Sequence, residues 1–230
     1  MPEALPFDGI GVFVVPADAP GDPGKALLAE DAQGYALAGV SWVAIEVYDG
    51  KFGAAPSYPN LYQQAEAAGL SAFPFGTVHA DIDIAAQVAN VAEAAGNPTT
   101  AILRLLGVFA ASDFEALAAA VAETSFSDSW AALALAGQEE GLRSAVPEAV
   151  MPEAFGAIEA IPTHVAAWRA TGLPIVPVIN QLGVANAAKL AAQAGCIGLG
   201  VYRHGEPVDA SAVSLAALAF SGASEDPAPA

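Results

Sequence analysis

The sequence predicts an α/β fold, a (β/α)8-like (TIM-type) barrel, on three observations. An Ala-rich helical stretch, a small–Gly pair and a β-branched apolar run recur in that order along most of the chain. No hairpin signal interrupts the alternation, and strictly alternating βα units point to parallel strands. The strands also have unlike faces, one bulky and aliphatic, the other small and then polar.

The recurring unit can be placed residue by residue. Ala38-Gly39 precedes SWVAIEVY, Ala68-Gly69 precedes LSAFPF, and Ala95-Gly96 precedes NPTTAILRLL. Thr171-Gly172 precedes LPIVPVI, and Ala194-Gly195 precedes CIGLGVY. Glycine stops a helix in the left-handed conformation without a Cβ penalty. A short apolar run after it reads as a strand buried on both faces, as in a parallel sheet. Strands are expected over 10–15, 42–48, 71–77, 101–107, 130–137, 175–180 and 197–203, with helices following and the last near 210–220. Ser112 with Glu115 three residues on reads as a capping box. An eighth strand is not visible, so the barrel is expected to be incomplete or closed by an irregular segment. An open, doubly wound sheet is the alternative. The barrel is expected to form one domain over 1–221, followed by a flexible tail over 222–230.

Side chains alternate between the faces of a strand. Trp42, Ala44, Glu46 and Tyr48 therefore share one face, and Val43, Ile45 and Val47 the other. Gly198, Gly200, Tyr202 and His204 oppose Ile197, Leu199 and Val201. In the fifth strand Leu133 and Leu135 are expected on the bulky face, opposite Ala132, Ala134, Ala136 and Gln138. The small faces would line the barrel and their polar ends its mouth.

Composition limits the partners. The 230 residues carry 25 Asp+Glu against 7 Lys+Arg, a net charge of −18. Nucleic acid is excluded as an expected partner, because binding its backbone needs clustered cations. A hydrophobic content of 55% and a mean hydropathy of +0.47 exclude a disordered chain. No apolar run approaches the ~20 residues of a membrane span, so no membrane partner is expected. The opening MPEALPFDG lacks the basic and apolar regions of a signal peptide; the sequence leaves localisation open, with a virion or extracellular assembly as one setting. The charged fraction, 14%, is low against the ~25% usual for soluble domains. Such a surface fits a protein that covers much of itself, so protein partners or self-association are expected.

Chemistry in such barrels sits at the C-terminal ends of the strands. The residues placed there are Asp18, Glu46, Tyr48, Asp49, His79, Gln138, Glu139, Asn180, Gln181, Tyr202, Arg203 and His204. Glu46 is the sharpest of them, since parity points a carboxylate inward among apolar residues, where it is costly unless paired. An ion pair with Arg104, which shares parity with Ile102 and Leu106, is the structural alternative to catalysis. Glycoside hydrolysis needs two carboxyl groups ~5–9.5 Å apart, and Glu46 with Glu139 or Asp49 could supply them. Tyr48, His79, Gln138, Asn180, Tyr202 and His204 are the candidate ligand-binding residues. Asp81-x-Asp83 reads as the complement of a helix dipole. His79, His164 and His204 are scattered without zinc spacing, so no metal is expected. No Gly-rich phosphate loop and no G-x-S-x-G elbow is present, so no cofactor is expected. Cys196, the single cysteine, excludes an internal disulfide and reads as a small buried apolar residue. Phe52, Tyr58, Tyr62, Phe73, Phe75 and Tyr202 could stack on sugar rings or a partner, or pack in the core.

The stretch WVAIEVYDGKFGAAPSYPNLYQQAEAAGLSAFPFGTVH resembles the second and third βα units of lysozyme-like glycoside-hydrolase barrels of the family-25 type. The shared features are Asp49-Gly50, the aromatic loop from Tyr58 to Tyr62, Ala65 to Leu70, and Phe75. They cover about a sixth of the chain. The family carries an aspartate in its first strand and a D-x-E motif on a central one. This chain has Gly11-Val12-Phe13 and Leu103-Arg104-Leu105 there, so the catalytic pair does not carry over. The resemblance implies a glycosidase-like scaffold whose hydrolytic machinery is absent or rebuilt. The expected function is a non-catalytic barrel acting as a binding or structural module of a virion, tail or cell-surface assembly. The alternative is a glycoside hydrolase using Glu46 and a loop carboxylate.

Overall fold

At each of the five small–Gly pairs the glycine takes a positive φ, between 70° and 85°, and ends the helical segment before it. The computed structural model describes residues 6–14, 29–55, 58–153, 158–180, 183–202 and 208–224. Its strands are β1 (Gly9–Val14), β2 (Val40–Asp49), β3 (Gly53–Ala54), β4 (Ser71–His79), β5 (Ala101–Leu106), β6 (Trp130–Ala134), β7 (Ala149–Pro152), β8 (Val178–Asn180) and β9 (Gly198–Tyr202). The α-helices are α1 (Ala29–Leu37), α2 (Tyr58–Ala67), α3 (Ile84–Ala94), α4 (Ala111–Ala122), α5 (Glu139–Ala145), α6 (Ile161–Trp168), α7 (Val184–Gln193) and α8 (Ala210–Ser224). The order of pairing is β7-β6-β5-β4-β2-β1-β9-β8, all parallel, with β3 a short antiparallel addition to β2. Eight parallel strands alternating with helices thus form a nearly closed (β/α)8 barrel.

The open seam lies between β7 and β8. Among the described residues only isolated bridges cross it, Val150 to Ile175 and Glu153 to Val178. Pro174 and Pro177 lack the N–H that a continuous ladder needs. The strand expected over 175–180 is accordingly regular only over Val178–Asn180. The strand that the sequence reading lacked is β7, four residues beginning two residues after Pro147 and ending on Pro152. No glycine announces it, because α5 is capped by Val146 in the left-handed conformation, φ 52° and ψ 51°. A β-branched residue there is strained, and the following proline disfavours helical dihedrals further. Val146 is 71% exposed, so its side chain contributes little packing. Val146→Asn is expected to raise stability by about 0.5–1 kcal/mol in a urea titration, since Asn tolerates this conformation.

Two layers of apolar side chains share the sheet. Val43, Ile45, Val47, Leu103, Leu105, Ala132, Ala134, Leu199 and Val201 pack under the helices. Phe7, Phe13, Trp42, Phe73, Phe75, Ile102, Leu133, Met151 and Val178 fill the barrel. The bulk is distributed to suit the glycines: a Cβ on Gly200 would lie 2.7 Å from the Phe13 ring, and one on Gly11 2.2 Å from the Trp42 ring. The parity expected for the fifth strand is corrected at β6. Leu133 points inward with Ala131, and Ala132 and Ala134 lie under the helices. The expected capping box also shifts: α4 begins at Ala111, and Asp113 accepts the Ala110 N–H at 2.7 Å.

Candidate functional site

The polar mouth begins one layer above the aromatic plug. Glu46 follows Trp42 and Ala44 on the inward face of β2. On β5 Arg104 follows Ile102, and in register with it on β4 stands Thr77. Glu153 lies two residues beyond inward-facing Met151 and is bridged to Val178. Arg104 Nε donates to Glu153 Oε1 at 2.6 Å and its Nη2 to Oε2 at 3.3 Å. The Glu153 side chain is 3% exposed and that of Arg104 30%. Burial alone would lower the proton affinity of the guanidinium. The hydrogen bonds and charge of Glu153, then Tyr202 and Glu46, outweigh it and push the arginine pKa up. The interior arginine foreseen beside Glu46 thus has Glu153 as its fork-to-fork partner, with Glu46 and Tyr202 in its field. Tyr202 pairs in register with Asn180 across β9 and β8. Both are half-buried.

A second cluster occupies the rim over β2, β4 and β5. A bulge after Glu46 pairs Tyr48 with Gly76 and Asp49 with Thr77. It turns Tyr48 away from the mouth to the helix layer, where its Oη accepts from Asn90 Nδ2 at 3.0 Å. Asp49 is re-aimed by the same bulge. Its Oδ1 accepts from Lys51 N–H at 2.8 Å and Phe52 N–H at 3.3 Å, and lies 3.1 Å from His79 Nε2. Buried Gln87 of α3 fixes the His79 backbone, accepting its N–H at 2.8 Å and donating to its carbonyl at 3.0 Å. A cleft of about 380 Å³ opens beside this pair, bounded by His79, Lys51, Asp81, Gly107 and Val108. Lys51 Nζ and Asp81 are 3.7 Å apart across it. Asp83 caps α3 by accepting the Ala86 N–H, the dipole role expected of that acidic pair.

The remaining candidates divide. Gln138 is buried, and its Nε2 donates to the Gly107 carbonyl at 2.9 Å, joining the loops after β5 and β6. Glu139 lies in a groove of about 280 Å³ between α5 and the 169–171 turn, lined by Glu140, Arg143, Ala170 and Thr171. That groove shares no lining residue with the mouth cleft. Asp18, Gln181, Arg203 and His204 lie outside the described residues. Of the aromatics, Phe73 and Phe75 belong to the plug, and Tyr58 and Tyr62 pack in the helix layer. Phe52 is exposed. Cys196 is buried, which pushes its thiol up to about 12. Among the described residues no three His, Cys, Asp or Glu side chains are grouped to hold a metal ion.

Sequence reasoning missed Glu153, Thr77 and Gln87. Glu153 was hidden with its strand, although it shares parity with Ala149 and Met151. The Thr77 hydroxyl is buried with no hydrogen-bond partner, and parity with Phe73 and Phe75 could have placed it.

Fold and mouth define the class: a (β/α)8-barrel protein with an aromatic-filled interior and an Arg–Glu pair at its polar end. No protein-family profile and no curated protein sequence matches the chain. Among solved structures it is similar to a cube-shaped, highly porous protein cage designed by fusing symmetric oligomeric domains. That likeness has a TM-score of 0.53 at 14% identity, over 94% of this chain and 73% of the other. It bears on the fold alone.

Proposed function

We propose that this chain is a non-catalytic, glycoside-hydrolase-like barrel that serves as a binding or structural module of a larger assembly, such as a virion, tail or cell-surface apparatus. One observation carries the reading. The buried interior carboxylate, Glu153, has both oxygens engaged by Arg104. A hydrolase needs two carboxyl groups facing an open cleft, one of them able to hold and deliver a proton. The pairing leaves Glu153 in neither role. The low charged fraction, 14%, supports covered rather than fully solvated surfaces. Incubation with a panel of bacterial and chitin-type glycans is expected to give no reducing ends, and Glu46→Gln no change. Turnover by the parent chain that Glu46→Gln abolishes would overturn the reading.

A second reading is a glycoside hydrolase with Glu46 and Asp49, the last residue of β2, as its two carboxylates. It is favoured by the orientation of Asp49, which two backbone N–H groups and His79 hold beside an open cleft. The same assay separates the two, with Asp49→Asn added to the variants.

A further inference from the structure

The last helix is the longest among the described residues. In a chain of net charge −18, the fifteen residues of α8 (ASAVSLAALAFSGAS) include no charged side chain. Val213 and Ala216 point into the core, where α8 packs on α7 and α1. The opposite face is formed by Ser211, Leu215, Leu218 and Gly222, all exposed. Leu215 is 61% and Leu218 70% exposed. A surface helix normally turns polar, charged residues to water. Here the solvent face repeats at intervals of four, three and four residues, the a/d spacing of a helix–helix seam.

The seam is also its own reverse. Read in either direction it runs small, Leu, Leu, small. Laid antiparallel on a second α8, Leu215 would meet Leu218 of the partner subunit, and Ser211 would meet Gly222 of the partner subunit. A two-fold contact requires this self-complementarity, because one patch must serve both sides. The small ends let the backbones approach. The turn after α1 packs against α8, where a Cβ on Gly39 would lie 3.1 Å from Ala217.

Charge selects the occupant. A basic partner would be drawn to the acidic surface, and an anionic membrane would be repelled by it. Two copies of a −18 chain repel least where few charges face one another. The stretch from Leu215 to Gly222 carries none, and the carboxylate at the seam's end, Asp209, accepts from the Ser211 N–H and hydroxyl. We propose that the chain forms a two-fold dimer through an antiparallel α8–α8 contact centred on Leu215 and Leu218. This deepens the assembly reading above and rests on it. A helix of fifteen residues is about 22 Å long, so the contact is small and the dimer depends on concentration.

Sedimentation equilibrium of the full chain tests it, over a range of concentrations in low and high NaCl. The expected result is a monomer–dimer equilibrium that tightens with salt, as the repulsion between acidic subunits is screened. Leu215→Glu and Leu218→Lys should each weaken dimerisation at least tenfold. An equimolar mixture of the two variants should recover it, because antiparallel pairing brings the new opposite charges together. Each variant is read with the parental circular dichroism and melting point. Should one lose them, Leu215→Ser and Leu218→Ser, which remove the apolar contact without adding charge, take its place. A monomer at every concentration, association untouched by either variant, or loss without recovery in the mixture would overturn the proposal. A monomer without glycan turnover would end the dimer and leave the module reading standing. Turnover dependent on Glu46 would end the module reading whatever the mass.

Discussion

Arg104→Met is expected to destabilise the protein by about 3–5 kcal/mol, because it leaves the Glu153 carboxylate buried without its counter-charge. For a domain of this size that corresponds to a fall in Tm of roughly 6–20 °C. The Glu153 side chain is 3% exposed, so water cannot replace the guanidinium without opening the barrel end. Glu46 would lose the same cation from its surroundings. Glu153→Met alone should also be costly, since it strands Arg104, although that side chain is 30% exposed and can partly solvate. The double substitution is the decisive measurement. An apolar pair of similar volume should recover most of the loss, as replacing a whole buried ion pair is often close to neutral. Urea titration of the two single variants and the double variant gives the coupling directly. Single variants that cost less than ~1 kcal/mol would place the pair with surface ion pairs and remove its structural role.

That pair also shows where the sequence was legible. The glycine-capped units declared themselves because a left-handed helix end demands glycine, so the positions before β2, β4 and β5 could be read from Gly39, Gly69 and Gly96. The parity argument pointed Glu46 inward with Trp42 and Ala44, and tied Arg104 to the face of Ile102 without saying which face that was; all three apolar neighbours belong to the barrel interior. Three features broke these rules. Val146 does a glycine's work at the end of α5, so β7 carried no signal, and Glu153 was lost with it. The bulge after Glu46 reversed the parity of β2, which parted Tyr48 from the mouth and brought Asp49 to His79. At β6 local alternation could not say which face was inner, since small and bulky residues alternate on both β6 and its neighbours and the inner set, Ala131 and Leu133, is fixed by the strands around the barrel. Partnerships between strands distant in sequence lie beyond any local pattern. Arg104 and Glu153 are forty-nine positions apart, and Asp49 and His79 thirty.

The same non-local packing sets a second large effect, at Trp42. Its indole is fully buried at the centre of the barrel, edge-on to Phe7 and Phe13 at centroid distances of 6.2 and 5.7 Å. Phe73 tilts against it at 6.3 Å. The Nε1–H donates to the Phe7 carbonyl at 3.2 Å, which ties the segment before β1 to β2. Trp42→Ala removes the largest side chain of the plug and this hydrogen bond together. Truncations of this kind cost about 3–5 kcal/mol, the spread reflecting how far the walls collapse. Collapse is limited here, because the walls are strands of a barrel rather than separable layers. The variant should therefore keep a dry apolar cavity, the kind that takes up small aromatic molecules. Added indole is expected to raise the melting temperature of Trp42→Ala in proportion to the logarithm of its concentration once the cavity approaches saturation, and to leave the parent unchanged. The plug also forms the floor beneath Glu46, two positions past Ala44 on the same face of β2. Loosening it should weaken the coupling between Arg104 and Glu153 when that double-variant measurement is repeated in the Trp42→Ala background. A loss below ~1 kcal/mol, or an indole effect equal in the two proteins, would mean that the barrel is not held from inside by its aromatic residues.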